Sequence, residues 1–139
     1  MPLLAFALVA AILGAMLFFV AVVAPTVFRT LPEAESGAFV RALFPRYYLV
    51  LGPASGAAAL FAALGGRFAE AALLALVAGG FGVARQGLMP RVNALSDRVK
   101  AGDSAAAPAF NALHHRASVS LNAFQLLGLV LIAALLARG

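Results

Sequence analysis

The sequence predicts an all-α integral membrane protein, a four-helix bundle that forms a single transmembrane domain over residues 1–139. Apolar residues make up 64% of the chain and charged residues only 11%, whereas soluble domains have about 45–50% apolar and about 25% charged residues. Long runs without any charged side chain recur along the chain. The basic residues are concentrated in two of the segments between those runs.

The uncharged runs define four predicted spans. The first run, Pro2 to Phe28, has 27 residues, which exceeds the ~20 residues that cross ~30 Å of hydrocarbon as a helix. The third is the shortest, because Glu70 and Arg85 enclose only 14 uncharged residues. It reaches spanning length only if those two charged side chains lie near opposite interfaces, or if Arg85 is buried in the bundle. The predicted spans are about 3–27, 47–66, 70–89 and 117–137.

The connection between helices 1 and 2 is predicted to be an interfacial amphipathic helix. Thr30 and Glu33 have the spacing of a capping box, which marks a helix start. Apolar residues then recur at helical spacing from Phe39 to Phe44, which gives a face that can lie in the headgroup region. We expect Pro45 to end this helix.

Helices 3 and 4 are predicted to extend into the cytoplasm as a hairpin. Helix 3 continues past a kink at Pro90, and Ala101 to Asp103 form the turn. Pro108 suits the first turn of helix 4. A helix from Pro108 to Ala137 would have 30 residues, or about 45 Å, which is longer than the hydrocarbon is thick.

Loop charges give the orientation. The connections between helices 1 and 2 and between helices 3 and 4 carry eight of the ten basic residues. By the positive-inside rule, both connections are cytoplasmic and both termini are periplasmic. The expected location is a bacterial inner membrane.

Helix 4 carries a polar stripe. His115, Ser118 and Asn122, followed by Gln125, are spaced by three, four and three residues, so they share one helix face. Polar groups exposed to acyl chains are costly, so the stripe should face the bundle interior or a wet cavity. Two interpretations stay open: interhelical hydrogen bonding, or a functional site in which His115 changes its charge near neutral pH.

A second polar set is expected at the same depth, near the cytoplasmic ends of helices 2 and 3. With the stripe it forms a predicted hydrogen-bonded cluster, the candidate binding site. Asp97 is expected to be a buried acid in that cluster, paired with Arg91, Arg116 or protonated His115. The predicted cluster comprises Arg46, Arg91, Asn93, Asp97, His115, Ser118 and Asn122, with Arg85, Gln86 and Gln125 as secondary members.

Several chemistries are not expected from the residue inventory. The chain has no Cys, which excludes disulfides, zinc–thiolate sites and thiol catalysis. The two His residues are adjacent in sequence, which does not suit haem ligation from two helices, and no nucleophile elbow is present. We therefore expect no catalytic residues, no metal site, no cofactor and no nucleic-acid partner, and we do not expect an enzyme. The net charge of +5 is attributed to cytoplasmic loops that meet lipid phosphates.

Four segments resemble the motifs of a known family: Ala24 to Phe28, Leu43 to Tyr48, Arg91 to Asn93 with Asp97, and His115 to Ser118 with Asn122. It is the domain-of-unknown-function membrane family related to eukaryotic transmembrane protein 205. The resemblance implies a small four-helix membrane protein with no agreed activity in bacterial members. The eukaryotic relative is associated with resistance to platinum drugs, which suggests sulfur ligands. This chain has no Cys and three scattered Met residues, so soft-metal handling is not carried over.

The function predicted from the sequence is a binding or transport-like role at the polar cluster, in a homo-oligomer, with membrane lipids as partners and an unidentified ligand. An oligomer is expected because four helices are few for enclosing a pathway. The alternative is a non-catalytic accessory or structural membrane protein whose polar stripe only holds helices together.

Overall fold

The structure, a computed structural model, describes residues 1–114 and 119–139, and this part of the chain is helical with no strand. Short π-helical or 3-10 turns join several of the helices. In chain order the elements are α1 (Pro2–Phe18), a first π turn (Phe19–Val23), α2 (Ala24–Thr30), α3 (Glu33–Leu64), α4 (Phe68–Val83), a second π turn (Ala84–Leu88), α5 (Met89–Lys100), a 3-10 turn (Ser104–Ala106), α6 (Ala107–Leu113) and α7 (Leu121–Ala137).

Three continuous helical stretches within the described residues are long and apolar enough to cross a membrane. They are Pro2–Thr30, Glu33–Leu64 and Phe68–Lys100. The described residues therefore show the predicted all-α fold. Three of the four predicted spans correspond to helices of membrane-crossing length. The fourth predicted span includes α7, which is apolar and 17 residues long.

The helix α3 corrects one sequence expectation. Its 32 residues run through Pro45 and Pro53 without a break, so the prediction that Pro45 ends a separate interfacial helix is wrong. A proline inside a helix removes one backbone hydrogen bond, but contacts with neighbouring helices compensate for this in membrane-type bundles. The capping box is also absent, because α3 begins after Pro32 without a side-chain cap and the Thr30 hydroxyl donates to the Thr26 carbonyl at 2.6 Å.

Two other prolines follow π turns at the same spacing. Pro25 and Pro90 each stand two residues after the end of a π turn. A π turn widens the helix by one residue, which relieves the clash between a proline ring and the preceding turn. The helix continues past Pro90 as predicted, and Gly102, with a φ of +95°, forms the turn that follows α5. Glycine adopts this left-handed conformation without a Cβ penalty.

The apolar helices pack in a ring. The helix α3 lies against α1 and α4, and α7 also lies against α1 and α4. Leu74 and Phe81 of α4 and Leu129 of α7 are fully buried between them. Gly52 of α3 faces α4, and a Cβ there would make an ordinary van der Waals contact of 3.7 Å with the Phe81 Cβ. The helices α5 and α6 pack against each other, and the extension of this pair into the cytoplasm stays a prediction.

Candidate functional site

The predicted polar cluster is only partly described by the structure, because His115 and Ser118 lie outside the described residues. Arg46, Arg91 and Asp97 are exposed, and Asn93 is half-buried. No hydrogen bond or ion pair joins Arg46, Arg91, Asn93 and Asp97 to one another. The described part of the chain therefore does not gather these four side chains into one network.

Asp97 pairs with a residue that the sequence prediction omitted. Its two carboxylate oxygens accept from the two terminal guanidinium nitrogens of Arg41 at 2.5 and 3.0 Å. The Asp97 side chain is 54% exposed, so the expectation of a buried acid is wrong. Of its expected partners, Arg91 makes no ion pair with it, and Arg116 and His115 lie outside the described residues. The physical reason is the continuous α3, which carries Arg41 alongside α5 rather than in a separate helix on the membrane surface. Exposed pairs of this kind contribute little to stability.

Two residues of the predicted stripe connect α7 to its neighbours. The Asn122 amide nitrogen donates to the Tyr48 hydroxyl of α3 at 3.0 Å. Gln125 is buried, and its amide nitrogen donates to the Val77 carbonyl of α4 at 2.9 Å. Tyr48, which the sequence analysis did not include in the site, is thus the residue that connects Asn122 to α3.

The secondary candidates Arg85 and Gln86 lie in the second π turn and differ in burial. Arg85 lies partly buried, and its Nε donates to the Pro45 carbonyl of α3 at 3.1 Å. Gln86, the next residue, is exposed. Arg85 therefore links the second π turn to α3 instead of facing a shared polar cluster.

A further polar group lies at the other end of the molecule, near both termini. Arg67 donates to the Glu70 carboxylate at 2.5 Å and to the Leu135 carbonyl of α7 at 2.7 Å. The Glu70 carboxylate raises the pKa of the Arg67 guanidinium by accepting its hydrogen bond. These contacts fasten the start of α4 to the end of α7, where carbonyl groups lack helical partners.

An open cleft lies beside the stripe, between the first helical stretch, α3 and the beginning of α7. We call it the lateral cleft. Its volume is about 390 Å³. Most of its walls are apolar, and Tyr47, His114 and Asn122 are its polar residues. It is lined by Met16, Phe19, Val20, Ala24, Phe28, Val40, Phe44, Tyr47, His114, Val119, Asn122, Ala123 and Leu126.

Aromatic rings form the floor of the lateral cleft. Phe19 and Phe44 make an edge-on contact with centroids 5.4 Å apart, and both contact Tyr47. The chain of rings continues from Phe44 to Tyr48 and on to Phe81 in the core. Such contacts are typically worth about 0.5–1.5 kcal/mol beyond area burial. The cleft floor is therefore a surface of packed aromatic rings. The Tyr47 hydroxyl has no hydrogen-bond partner among the described residues.

The family comparison matches this part of the molecule. A family model described as a domain of unknown function, DUF4149, matches residues 7–101. The chain belongs to the DUF4149 family. The match runs from α1 to the end of α5 and so includes the α1, α2 and α3 walls of the lateral cleft. No curated protein and no solved structure matches the chain.

The described residues of this DUF4149 chain offer no group of three or more His, Asp or Glu side chains that could hold a metal ion. The carboxylates are instead dispersed. Asp97, Asp103 and Glu70 each pair with an arginine. The lateral cleft in this DUF4149 member is lined mainly by apolar side chains with a few polar groups.

Proposed function

We propose that this DUF4149 protein spans the membrane as a four-helix bundle and binds a membrane-soluble small molecule in the lateral cleft. The observation that carries the proposal is the cleft itself. Its volume of about 390 Å³ falls within the range of about 300–1,000 Å³ typical of small-molecule sites. Its walls are apolar and aromatic with a few polar groups, which is also typical of such sites.

The rest of the proposal concerns topology and assembly. The loop charges favour cytoplasmic connections and periplasmic termini in a bacterial inner membrane. We also propose a homo-oligomer, a non-enzymatic role and a relation to the transmembrane protein 205 family. The charged residues of the predicted cluster support the binding role less than the cleft does, because the described ones are not joined.

A second candidate function is an accessory or structural membrane protein. The hydrogen bonds from Gln125 to α4 and from Asn122 to α3 favour it. In membrane proteins such bonds often serve helix association alone, at about 0.6 kcal/mol each on average. In that case the stripe would contribute only to the packing of α7.

The test compares two tryptophan variants of α7. Ala123 lines the lateral cleft, whereas Ala134 is exposed on the same helix outside it. Ala123→Trp should fill the cleft, and Ala134→Trp adds the same side chain to a surface that faces lipid. Each full-length protein is purified in mild detergent, and native mass spectrometry records the small molecules that remain bound.

The binding proposal requires a bound molecule on the wild-type protein and on Ala134→Trp that is lost from Ala123→Trp. Equal retention by both variants would place the molecule elsewhere and contradict the proposal. A wild-type protein that carries nothing, even after incubation with a total lipid extract, would favour the accessory role.

A further inference from the structure

The lateral cleft opens sideways toward the surrounding lipid. Val20 and Phe28 on one wall are each 59% exposed, and Val119 on the facing wall is 51% exposed. All three line the cleft. A groove with such rims is accessible from the acyl-chain region of the bilayer, so its occupant does not need to pass through water.

The cleft lies in one half of the membrane. It begins near Met16, midway along the first helical stretch, and reaches Phe28, two residues before that stretch ends at Thr30. With the proposed orientation, this half is the cytoplasmic leaflet. An occupant would therefore have its apolar part near the bilayer centre and its polar part near the headgroups.

Polar groups stand where that headgroup would lie. The Tyr47 hydroxyl has no partner among the described residues, and His114 makes a stacked ring contact with Phe110 at 5.7 Å. Both residues line the cleft. A phenol and an imidazole can each donate a hydrogen bond to a headgroup oxygen.

Basic charge is in excess at the same end of the molecule. The pairs Arg41–Asp97 and Arg98–Asp103 are neutralised. Five more basic residues at this end form no ion pair within the described part of the chain, against the two acids Glu33 and Glu35. These basic residues are Arg29, Arg46, Arg85, Arg91 and Lys100. Arg29 and Arg46 directly follow and precede the cleft residues Phe28 and Tyr47.

We infer that the lateral cleft takes one acyl chain of an anionic phospholipid from the cytoplasmic leaflet, with its phosphate at the Arg29 and Arg46 end. This inference rests on the proposed binding function and names its ligand class. The apolar walls fit the chain, the lateral opening admits it, and the charge excess selects the headgroup.

The test exploits the absence of Trp from the chain. The Phe44→Trp variant places the one Trp of the chain in the cleft. A brominated acyl chain quenches the fluorescence of this Trp at short range. Leu49→Trp is the control, because Leu49 lies on the same helix but is 54% exposed and outside the cleft. Each full-length variant is reconstituted in phosphatidylcholine vesicles with a rising fraction of brominated phosphatidylglycerol or brominated phosphatidylcholine.

We expect Phe44→Trp quenching to saturate at a fraction of phosphatidylglycerol about thirtyfold lower than that of phosphatidylcholine, the factor expected for the two basic residues Arg29 and Arg46 near a membrane surface. Leu49→Trp should follow the total brominated fraction with either headgroup. Leu126→Trp, on the opposite wall of the cleft and only partly exposed, provides a second reporter if Phe44→Trp does not fold.

The outcomes separate the ligand class from the proposed function. Saturable quenching that is equal for both headgroups would overturn the inference and leave the binding function standing. Quenching indistinguishable from the Leu49→Trp control at both cleft reporters would overturn both. Arg29→Gln with Arg46→Gln should abolish the headgroup preference, whereas Arg138→Gln at the opposite end should not. A preference that survives the first pair of changes would contradict the phosphate position.

Discussion

Asn122 and Gln125 make polar contacts between α7 and the neighbouring helices, and a glycine on α4 leaves room for the Gln125 side chain. The amide of Gln125 lies against Gly80 of α4, where a Cβ would collide with the Gln125 amide nitrogen. The same amide donates to the Val77 carbonyl. The absence of a side chain at Gly80 therefore lets the Gln125 amide of α7 pack against α4.

Gly80→Ala should displace the Gln125 amide and lower the free energy of unfolding relative to Gly82→Ala. The lost bond is worth about 0.6–1.7 kcal/mol by the range measured for such bonds in membrane proteins. Gly82→Ala is the matched control, because a Cβ there meets nothing within 4 Å. Both changes bring the same gain in helix propensity, so thermal unfolding in detergent should rank Gly80→Ala below Gly82→Ala. Equal stabilities would show that Gln125 has room to move.

At this scale the sequence predicted the side of α7 but not its partners. Spacing by three and four residues placed Asn122 and Gln125 on one face, and they are half-buried and buried. Their partners, the Tyr48 hydroxyl and the Val77 carbonyl, lie 74 and 48 residues away. Helical spacing carries no information about the rotation of the neighbouring helix, which decides such a pairing. The Arg41–Asp97 pair was missed for a related reason, since it depends on an unbroken α3.

At the scale of the helices, the prolines occur in two different local structures. Pro25 and Pro90 follow π turns, and Pro45 and Pro53 lie within α3. Proline interrupts a helix because it lacks the N–H donor and its ring clashes with the preceding turn, whereas membrane helices tolerate it when neighbouring groups bind the freed backbone atoms. The helix α3 continues because residues around Pro45 are held by other contacts: Phe44, Tyr47 and Tyr48 pack as a ring cluster, and Arg85 binds the Pro45 carbonyl.

Pro45→Ala should leave α3 continuous and raise the free energy of unfolding. Alanine restores the backbone N–H that Pro45 lacks and keeps the carbonyl that Arg85 contacts. The gain should be smaller than the ~3 kcal/mol that proline costs in a soluble helix interior, because packing already offsets part of that cost. Pro32→Ala, just before α3 begins, should change stability little. A destabilised Pro45→Ala protein, measured by thermal unfolding in detergent, would show that the fold requires the local geometry of the proline.

Over the whole molecule, the charged residues lie mainly at the two ends of the bundle, and apolar helices connect these ends. The Arg67–Glu70–Leu135 contacts fasten the end that holds both termini, and the other end holds the remaining ion pairs and most of the basic residues. Hydropathy predicted this arrangement because segment length and loop charge are properties of the sequence alone. The lateral cleft was not predicted, because it arises where the first helical stretch and the beginning of α7 separate.

The charge asymmetry makes a prediction about orientation that a chain without Cys allows to be tested with single cysteines. Ser104 follows the turn after α5, and Arg138 is exposed beyond α7. Because eight of ten basic residues lie in the two predicted cytoplasmic connections, the positive-inside rule places Ser104 in the cytoplasm and Arg138 in the periplasm. A membrane-impermeant maleimide added to intact spheroplasts should label Arg138→Cys and spare Ser104→Cys until the membrane is permeabilised.

The reverse pattern would invert the topology and move the lateral cleft to the outer leaflet. Labelling of both sites, or of neither until permeabilisation, would mean that α7 does not complete a fourth span, because Ser104 and Arg138 would then lie on the same side of the membrane.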